Sequence, residues 1–299
     1  MKRYHSVILM FVLFCALAAA AGCKRGAKSA AIGEVHTDSI QPGEVALLDH
    51  SVNENSGIIF WNEMLWTFND SGGKNELYAV DTLSGRVLKT VLIKNAENTD
   101  WEDITQDQEY IYIAETGNNA GTRSDLKILK IRKDEISKDV ESTVEAGVIA
   151  FEYADRVDFN PPYRLHPFDC EALVAWGDSL YVFTKDWKDF KTKVYGFPKI
   201  PGEYMSEVID SFEIGALVTG ADISSDSTLA LVGYYDYQSY VWSFDISGKH
   251  FFTNARKQKL SGLYNAQTEG ICYSPGGKLL ISCEKTENFK QQLWRIDTF

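Results

Sequence analysis

Three carboxylates in four positions, Asp100-Trp101-Glu102-Asp103, stand directly before an apolar run in this sequence, an arrangement that is costly unless positive charge sits among them. Small or acidic residues precede an aliphatic one in the same way at Ser56-Gly57-Ile58, Glu171-Ala172-Leu173, Ala221-Asp222-Ile223 and Glu269-Gly270-Ile271. Brought together, Glu102, Asp103, Glu171, Asp222 and Glu269 would form a ring of oxygen donors. Carboxylates gathered around an axis repel one another and must take up protons or a cation. Oxygen ligands on strand ends suit Ca²⁺ better than Zn²⁺, and no His-rich or Cys spacing argues for a transition metal. The plainer alternative is that some of these acids accept hydrogen bonds from backbone amides of a neighbouring unit.

A second set of polar residues recurs in loops, at Asn69-Asp70-Ser71-Gly72-Gly73, Glu115-Thr116-Gly117-Asn118-Asn119, Thr184-Lys185-Asp186 and Glu284-Lys285. Asp70, Glu115, Arg164, His166, Lys185 and Lys285 are expected on one rim with the acidic starts. Beside a metal, the basic members would hold a phosphate or carboxylate; more commonly such residues pair with neighbouring acids. Ser71 lacks the preceding glycine of a nucleophile elbow and reads as turn chemistry. Trp187, Tyr234, Tyr235 and Tyr237 fall in rim loops and would offer a stacking surface to a sugar or other ring.

What must position these residues is a repeat. The first unit has β-type runs at 56–60, 64–68, 76–80 and 87–93, rich in β-branched and aromatic residues and separated by turn chemistry. The order recurs four more times, with aliphatic anchors Ile58, Ile104, Leu173, Ile223 and Ile271 spaced 46, 69, 50 and 48 residues apart. Four-stranded units at this spacing are propeller blades. The fold class is therefore all-β, a single β-propeller of five blades, with six as the rival count. The long interval holds an insertion over 156–167, too short for another blade. The last unit lacks a fourth strand, which an orphan strand over 43–50 can supply, closing the ring and removing its open edges. Neither a β-sandwich nor a β-helix explains five units with the same loop placements.

The N-terminus gives an address. Lys2-Arg3, an apolar run over 7–21 and Ala20-Ala21-Gly22-Cys23 read as a secretory signal over 1–22. The last four residues resemble a bacterial lipobox, which makes Cys23 the acylated first residue of the mature chain and the lipid bilayer its partner. Residues 23–42 are small, polar and basic and read as a lipidated tether, leaving 43–299 as the propeller domain. Lys24 after the cysteine points, by the same resemblance, to the outer membrane. The absence of a following acidic run favours its periplasmic side. Loss of Lys2 and Arg3 with the signal leaves 28 Lys and Arg against 42 Asp and Glu, a net of −14 where the full chain has −12. That balance disfavours anionic membrane surfaces as partners, and no nucleic acid partner is expected. Cys170, Cys272 and Cys283 remain as buried thiols, and a monomer is expected.

The runs Asn69-Asp70-Ser71-Gly72-Gly73, Asp100-Trp101-Glu102-Asp103-Ile104 and Glu115-Thr116-Gly117-Asn118-Asn119 together resemble a family of Bacteroidota propeller lipoproteins without assigned activity. Five blades with acidic inner-strand starts are also similar in architecture to calcium-dependent nucleotidases of the apyrase type and to phytase-like and lactonase-like propellers. No contiguous catalytic motif of theirs is matched, and a fold does not carry a reaction. Two functions follow as expectations. One is a calcium-holding funnel that binds a glycan, an anionic small molecule or a protein. The other is a metal-dependent hydrolase of a phosphoester or similar anion. The address is tested by Cys23→Ser, which is expected to move the protein from the membrane to the soluble fraction; unchanged fractionation would contradict acylation.

Overall fold

The β runs of this chain are apolar on both faces, the pattern of sheets covered on both sides. In the computed structural model, which describes residues 35–297, they form five sheets of four or five strands. Blade 1 runs outward through Asn55–Trp61, Met64–Asn69, Glu76–Val80 and Val87–Ile93, each antiparallel to the last. Blade 2 has Trp101–Gln106, Tyr110–Glu115, Lys127–Arg132 and Gly147–Tyr153. Blade 3 has Asp169–Trp176, Ser179–Lys185, Thr192–Pro198 and Val208–Phe212. Blade 4 has Leu217–Ile223, Thr228–Tyr235, Gln238–Ser247 and His250–Tyr264. Blade 5 has Thr268–Tyr273, Leu279–Cys283 and Gln292–Ile296, and takes Gly43–Leu47 as its outermost strand. Each innermost strand packs on the next, and the fifth packs on the first. The protein is a closed β-propeller of five blades, not six.

The core is divided among the five interfaces. Trp66, Phe68 and Trp101 fill the space between blades 1 and 2, Phe151, Tyr195 and Phe197 that between 2 and 3, and Phe183, Trp242 and Phe244 that between 3 and 4. Smaller aliphatics with Trp294 fill the fourth, and Leu65, Val80, Cys272 and Leu293 the fifth. Successive residues of one strand serve opposite interfaces: Ile58 faces blade 5, Ile59 faces blade 2. Cys170, Cys272 and Cys283 are free and buried; Cys272 pairs with Leu280 and Cys283 with Thr268, out of register for a disulfide.

Three further strands lie parallel on outer edges: Glu141–Val144 on blade 1, Gly202–Ser206 on blade 2 and Thr37–Ile40 on blade 4. One rule covers all three. The chain leading into a blade's fourth strand first covers the edge of the preceding blade, which shields a row of unpaired backbone groups. The sequence reading differs here. Thr37–Ile40 lies within the expected tether, and Glu141–Val144 and Gly202–Ser206 are additional to the expected four-stranded units. About half or more of each edge strand is exposed; each is held by backbone pairing plus one or two anchoring side chains, Ile40, Val144 and Tyr204, too few to leave a hydrophobic alternation to read. The signal and Cys23 lie outside the described residues.

The pairing of Gly43–Leu47 with Gln292–Ile296 makes the closing strand testable. A chain starting at Val35 and one starting at Gly43 are expected to melt close together. One starting at His50 is expected to melt about 10 °C lower, since roughly 3–5 kcal/mol of pairing and burial is lost. Equal melting of all three would contradict closure by this strand.

Candidate metal centre

All five innermost strands carry the same irregularity near their start. The register slips by one residue between Asn55 and Ile58, Trp101 and Asp103, Cys170 and Ala172, Val218 and Gly220, and Thr268 and Gly270. A bulge re-aims the extra side chain out of the pleat. Ser56, Glu102, Glu171, Thr219 and Glu269 therefore occupy one level of the ring. Ser56 Oγ donates to the Glu102 carbonyl and Thr219 Oγ to that of Thr268, each on the following blade. The three glutamates have no such use and gather with the loop acids.

Two triads of carboxylates share Glu102: Asp70, Asp100 and Glu102, and Glu102, Asp169 and Glu171, each offering oxygens within 4.8 Å of one another. Their hydrogen bonds separate them. Asp169 accepts from the Asn118 and Cys170 amides (2.7 and 3.2 Å) and from Trp187 Nε1 (2.7 Å). Glu171 is ion-paired to Lys185, and both are buried. Asp70 spends one oxygen on the Ser71 amide. Glu102, only 5% exposed, faces carboxylates and takes no hydrogen bond from the protein, although its oxygens are not sealed from solvent. A buried, unpaired acid of this kind is expensive unless it is protonated or neutralised by a cation.

Glycine makes this crowding possible at one point. A Cβ on Gly117 would lie 2.1 Å from Glu102 Oε1 and 2.3 Å from Asp100 Oδ2, so the loop after Tyr110–Glu115 passes over the acids only because residue 117 has no side chain. The donor set fits a hard divalent ion: oxygen-only, from a loop of blade 1 and the inner-strand start of blade 2, with Lys185 already balancing the blade 3 side.

The predicted ligands divide. Glu102 and Glu171 converge as expected, and Glu269 lies close enough for its charge to act on Glu171. Asp103 and Asp222 do not join them. Asp103 is fully buried and accepts from the amides of Ile104, Leu173 and Ala221 at 2.8, 2.8 and 3.2 Å; Asp222 accepts from those of Ile223 and Tyr273 at 2.8 and 2.7 Å. Both use the plainer chemistry, and Asp222 stands three residues beyond the blade 4 bulge because the bulge aligns Thr219-Gly220-Ala221 with Glu102-Asp103-Ile104. Among the rim residues, Glu115 is occupied by the Thr99 and Asp100 amides and Arg123. His166 is buried, its Nδ1 accepting from the Phe168 amide, and Lys285 is exposed. Asp70 was read as rim and proves central. Asp100 and Asp169 stand at predicted inner-strand starts, but only loop closure shows that they meet it.

No protein-family model matches the chain, and no curated protein matches it. Solved propellers do. A glucose dehydrogenase is 8% identical with a TM-score of 0.49, covering 84% of this chain and 98% of its own. The calcium-binding protein regucalcin from Agrobacterium tumefaciens is 13% identical at 0.45, covering 88% and 96%. A luciferin-regenerating enzyme is 11% identical at 0.45, covering 87% and 91%. Likeness at this level says nothing of ligand or reaction.

Burial, then neighbouring carboxylates, push Asp100 up to about 7. Burial also raises Asp70 to about 6, Glu269 to about 7 and Glu284 to about 8. These groups hold more protons folded than unfolded, so stability falls as pH rises from ordinary carboxylate values, about 4, toward about 8. Metal-free protein is expected to melt lower at pH 8 than at pH 5, by the equivalent of roughly a few kcal/mol. A melting temperature that is flat or rises over that range in chelated protein would contradict the cluster.

Proposed function

We propose that this chain is a lipid-anchored extracytoplasmic propeller that binds Ca²⁺ through Asp70, Asp100 and Glu102 and uses the surrounding face to bind a ligand. The carrying observation is Glu102: a buried carboxylate with only other carboxylates to face and no donor of its own. Calcium is the ion of choice because it accepts carboxylate oxygens in flexible geometry, whereas Mg²⁺ demands a tighter octahedron and Zn²⁺ prefers nitrogen or sulfur. Anchoring rests on the lipobox resemblance at residues 20–23. Lys24 after Cys23 and the missing acidic run support an outer-membrane, periplasm-facing address.

Hydrolysis of an anionic ester is the second reading, supported by Glu269 and Glu284, carboxyls beside the site that are raised into the range of general acid–base catalysis. A bound divalent ion would supply Lewis acidity there. The Lys185–Glu171 pair would hold an ammonium toward the ligand's negative charge. Binding is preferred because no nucleophile or base is set apart from the rest by its hydrogen bonds.

Calcium added to metal-free protein at about a hundredfold over its dissociation constant is expected to stabilise it by roughly 2.7 kcal/mol, or about 5–10 °C. Glu102→Gln is expected to abolish the shift while leaving the metal-free protein at least as stable, because it removes a buried charge. Calcium indifference of the wild type, or a shift that survives both Glu102→Gln and Asp100→Asn, would refute the assignment. Turnover of a phosphoester that needs calcium and disappears in Glu102→Gln would replace binding by hydrolysis.

A further inference from the structure

Beside the acidic cluster a pocket of about 530 Å³ opens over blades 3, 4 and 5. Its floor is wired to the cluster. Trp187 lines it and donates to Asp169, Tyr234 lines it with its ring 5.4 Å from the Lys185 ammonium, and Gln267 lines it beside Glu269. Its walls hold Phe190, Tyr235 and Tyr237, the last two 49% and 65% exposed. Phe190 and Tyr235 meet edge to face at 5.3 Å.

The backbone here is unusual. Of the nine non-glycine residues with positive φ among the described residues, Arg164, Phe190, Asp236, Tyr237 and Asn265 all line this pocket. Asp236 and Tyr237 are the two central residues of the hairpin turn after Thr228–Tyr235, which needs positive φ at both, whereas Arg164 and Phe190 are large side chains in a backbone region such residues rarely adopt.

Arg164 carries the chemistry. Its guanidinium lies 4.2 Å from the centre of the Trp187 ring, and its Nε donates to Asn119 Oδ1 at 3.2 Å. It makes no ion pair among the described residues, although the chain carries a net charge of −12. A guanidinium held through its stacking face and Nε keeps its terminal N–H groups for a planar anion, either a carboxylate or a phosphate. Around it, exposed aromatic faces alternate with the short planar hydrogen-bonding groups of Asp236, Asn265 and Gln267. Aromatic faces cover the apolar side of a sugar ring, and planar amides and carboxylates meet its hydroxyls.

From these we infer that the pocket binds an anionic saccharide, a sugar ring bearing a carboxylate or phosphate that pairs with Arg164. The inference rests on the reading of this face as a ligand-binding site and names its ligand class. The carboxylates that would hold calcium lie beyond Trp187, on the far side of the Asp169 hydrogen bond, and do not line the pocket, so its contacts do not require the ion.

The test is a titration of the full mature protein with D-glucuronate, galacturonate oligomers, glucose 6-phosphate, neutral glucose and benzoate. Tryptophan fluorescence and calorimetry are the readouts, with and without calcium. Saturable binding of the uronates or of the sugar phosphate is expected, at least tenfold tighter than glucose or benzoate; the arm that binds identifies the anion. Arg164→Gln and Tyr237→Ala, both at exposed positions, are each expected to weaken it at least tenfold with melting unchanged. Glucose or benzoate binding as tightly as the acidic sugars would overturn the inference. So would unaltered affinity in Arg164→Gln, or no binding of any acidic sugar by folded protein. Sugar binding by protein that takes up no calcium would uphold the pocket and remove the metal.

Discussion

The inner edge of a propeller blade carries backbone N–H groups with no strand to pair with, and at the centre of this ring they are buried. Asp103 answers for several of them. Its carboxylate accepts from Leu173 of blade 3 and Ala221 of blade 4, and from its own neighbour Ile104. Blade 1 makes room: a Cβ on Gly57 would lie 2.4 Å from Asp103 Oδ1. One side chain thus touches four of five blades at the axis. The equivalent positions are Gly57, Ala172, Gly220 and Gly270, and the closeness of Gly220 to the Glu269 carbonyl and of Gly270 to that of Ser56 shows why they are small. Burial pushes the Asp103 carboxyl well up, and the three amides oppose that push. A buried acid with every oxygen satisfied is stable where an orphaned amide would not be.

The level above uses the same strand starts to opposite effect. There the bulged residues are Ser56, Glu102, Glu171, Thr219 and Glu269, and the hydroxyls find carbonyls while the glutamates find one another. Among the described residues, the only ammonium buried with them is Lys185, committed to Glu171. The imbalance is left on the side of blades 1 and 2, at Asp70, Asp100 and Glu102. A cation taken up here would therefore sit off the axis, under the loop that carries Gly117. Trp101, packed against Phe68 at 5.5 Å with its Nε1 donating to the Glu97 carbonyl, fixes the segment between Asp100 and Glu102 against the interface of the two blades. These carboxylates are held by the core itself.

Much of this was legible in the residues. Five repeats, the insertion over 156–167 and the strand that closes the ring all follow from periodicity and turn chemistry. The acidic starts marked the right end of the strands. What failed was register at one blade: Ala221-Asp222-Ile223 looks like Glu102-Asp103-Ile104, but the bulge puts Thr219-Gly220-Ala221 there. Gly220 matching Gly57 and Gly270 was the available signal. The roles of Asp70 and Asp169 depend on how loops of different blades meet, which spacing along one chain does not encode. Edge strands such as Thr37–Ile40 escaped because backbone pairing leaves no pattern in the side chains. Arg164 and Trp187 were both noted, but their stacking joins an insertion to a blade 3 loop and exists only in three dimensions.

Crystals of the protein soaked with calcium, measured at long wavelength for anomalous scattering, locate any bound ion without reference to stability or activity. The account predicts one strong peak per chain, within coordination distance of Asp70, Asp100 and Glu102 and displaced from the axis away from Lys185. A peak at the axis on Asp103, a peak elsewhere, or none at saturating calcium would contradict it.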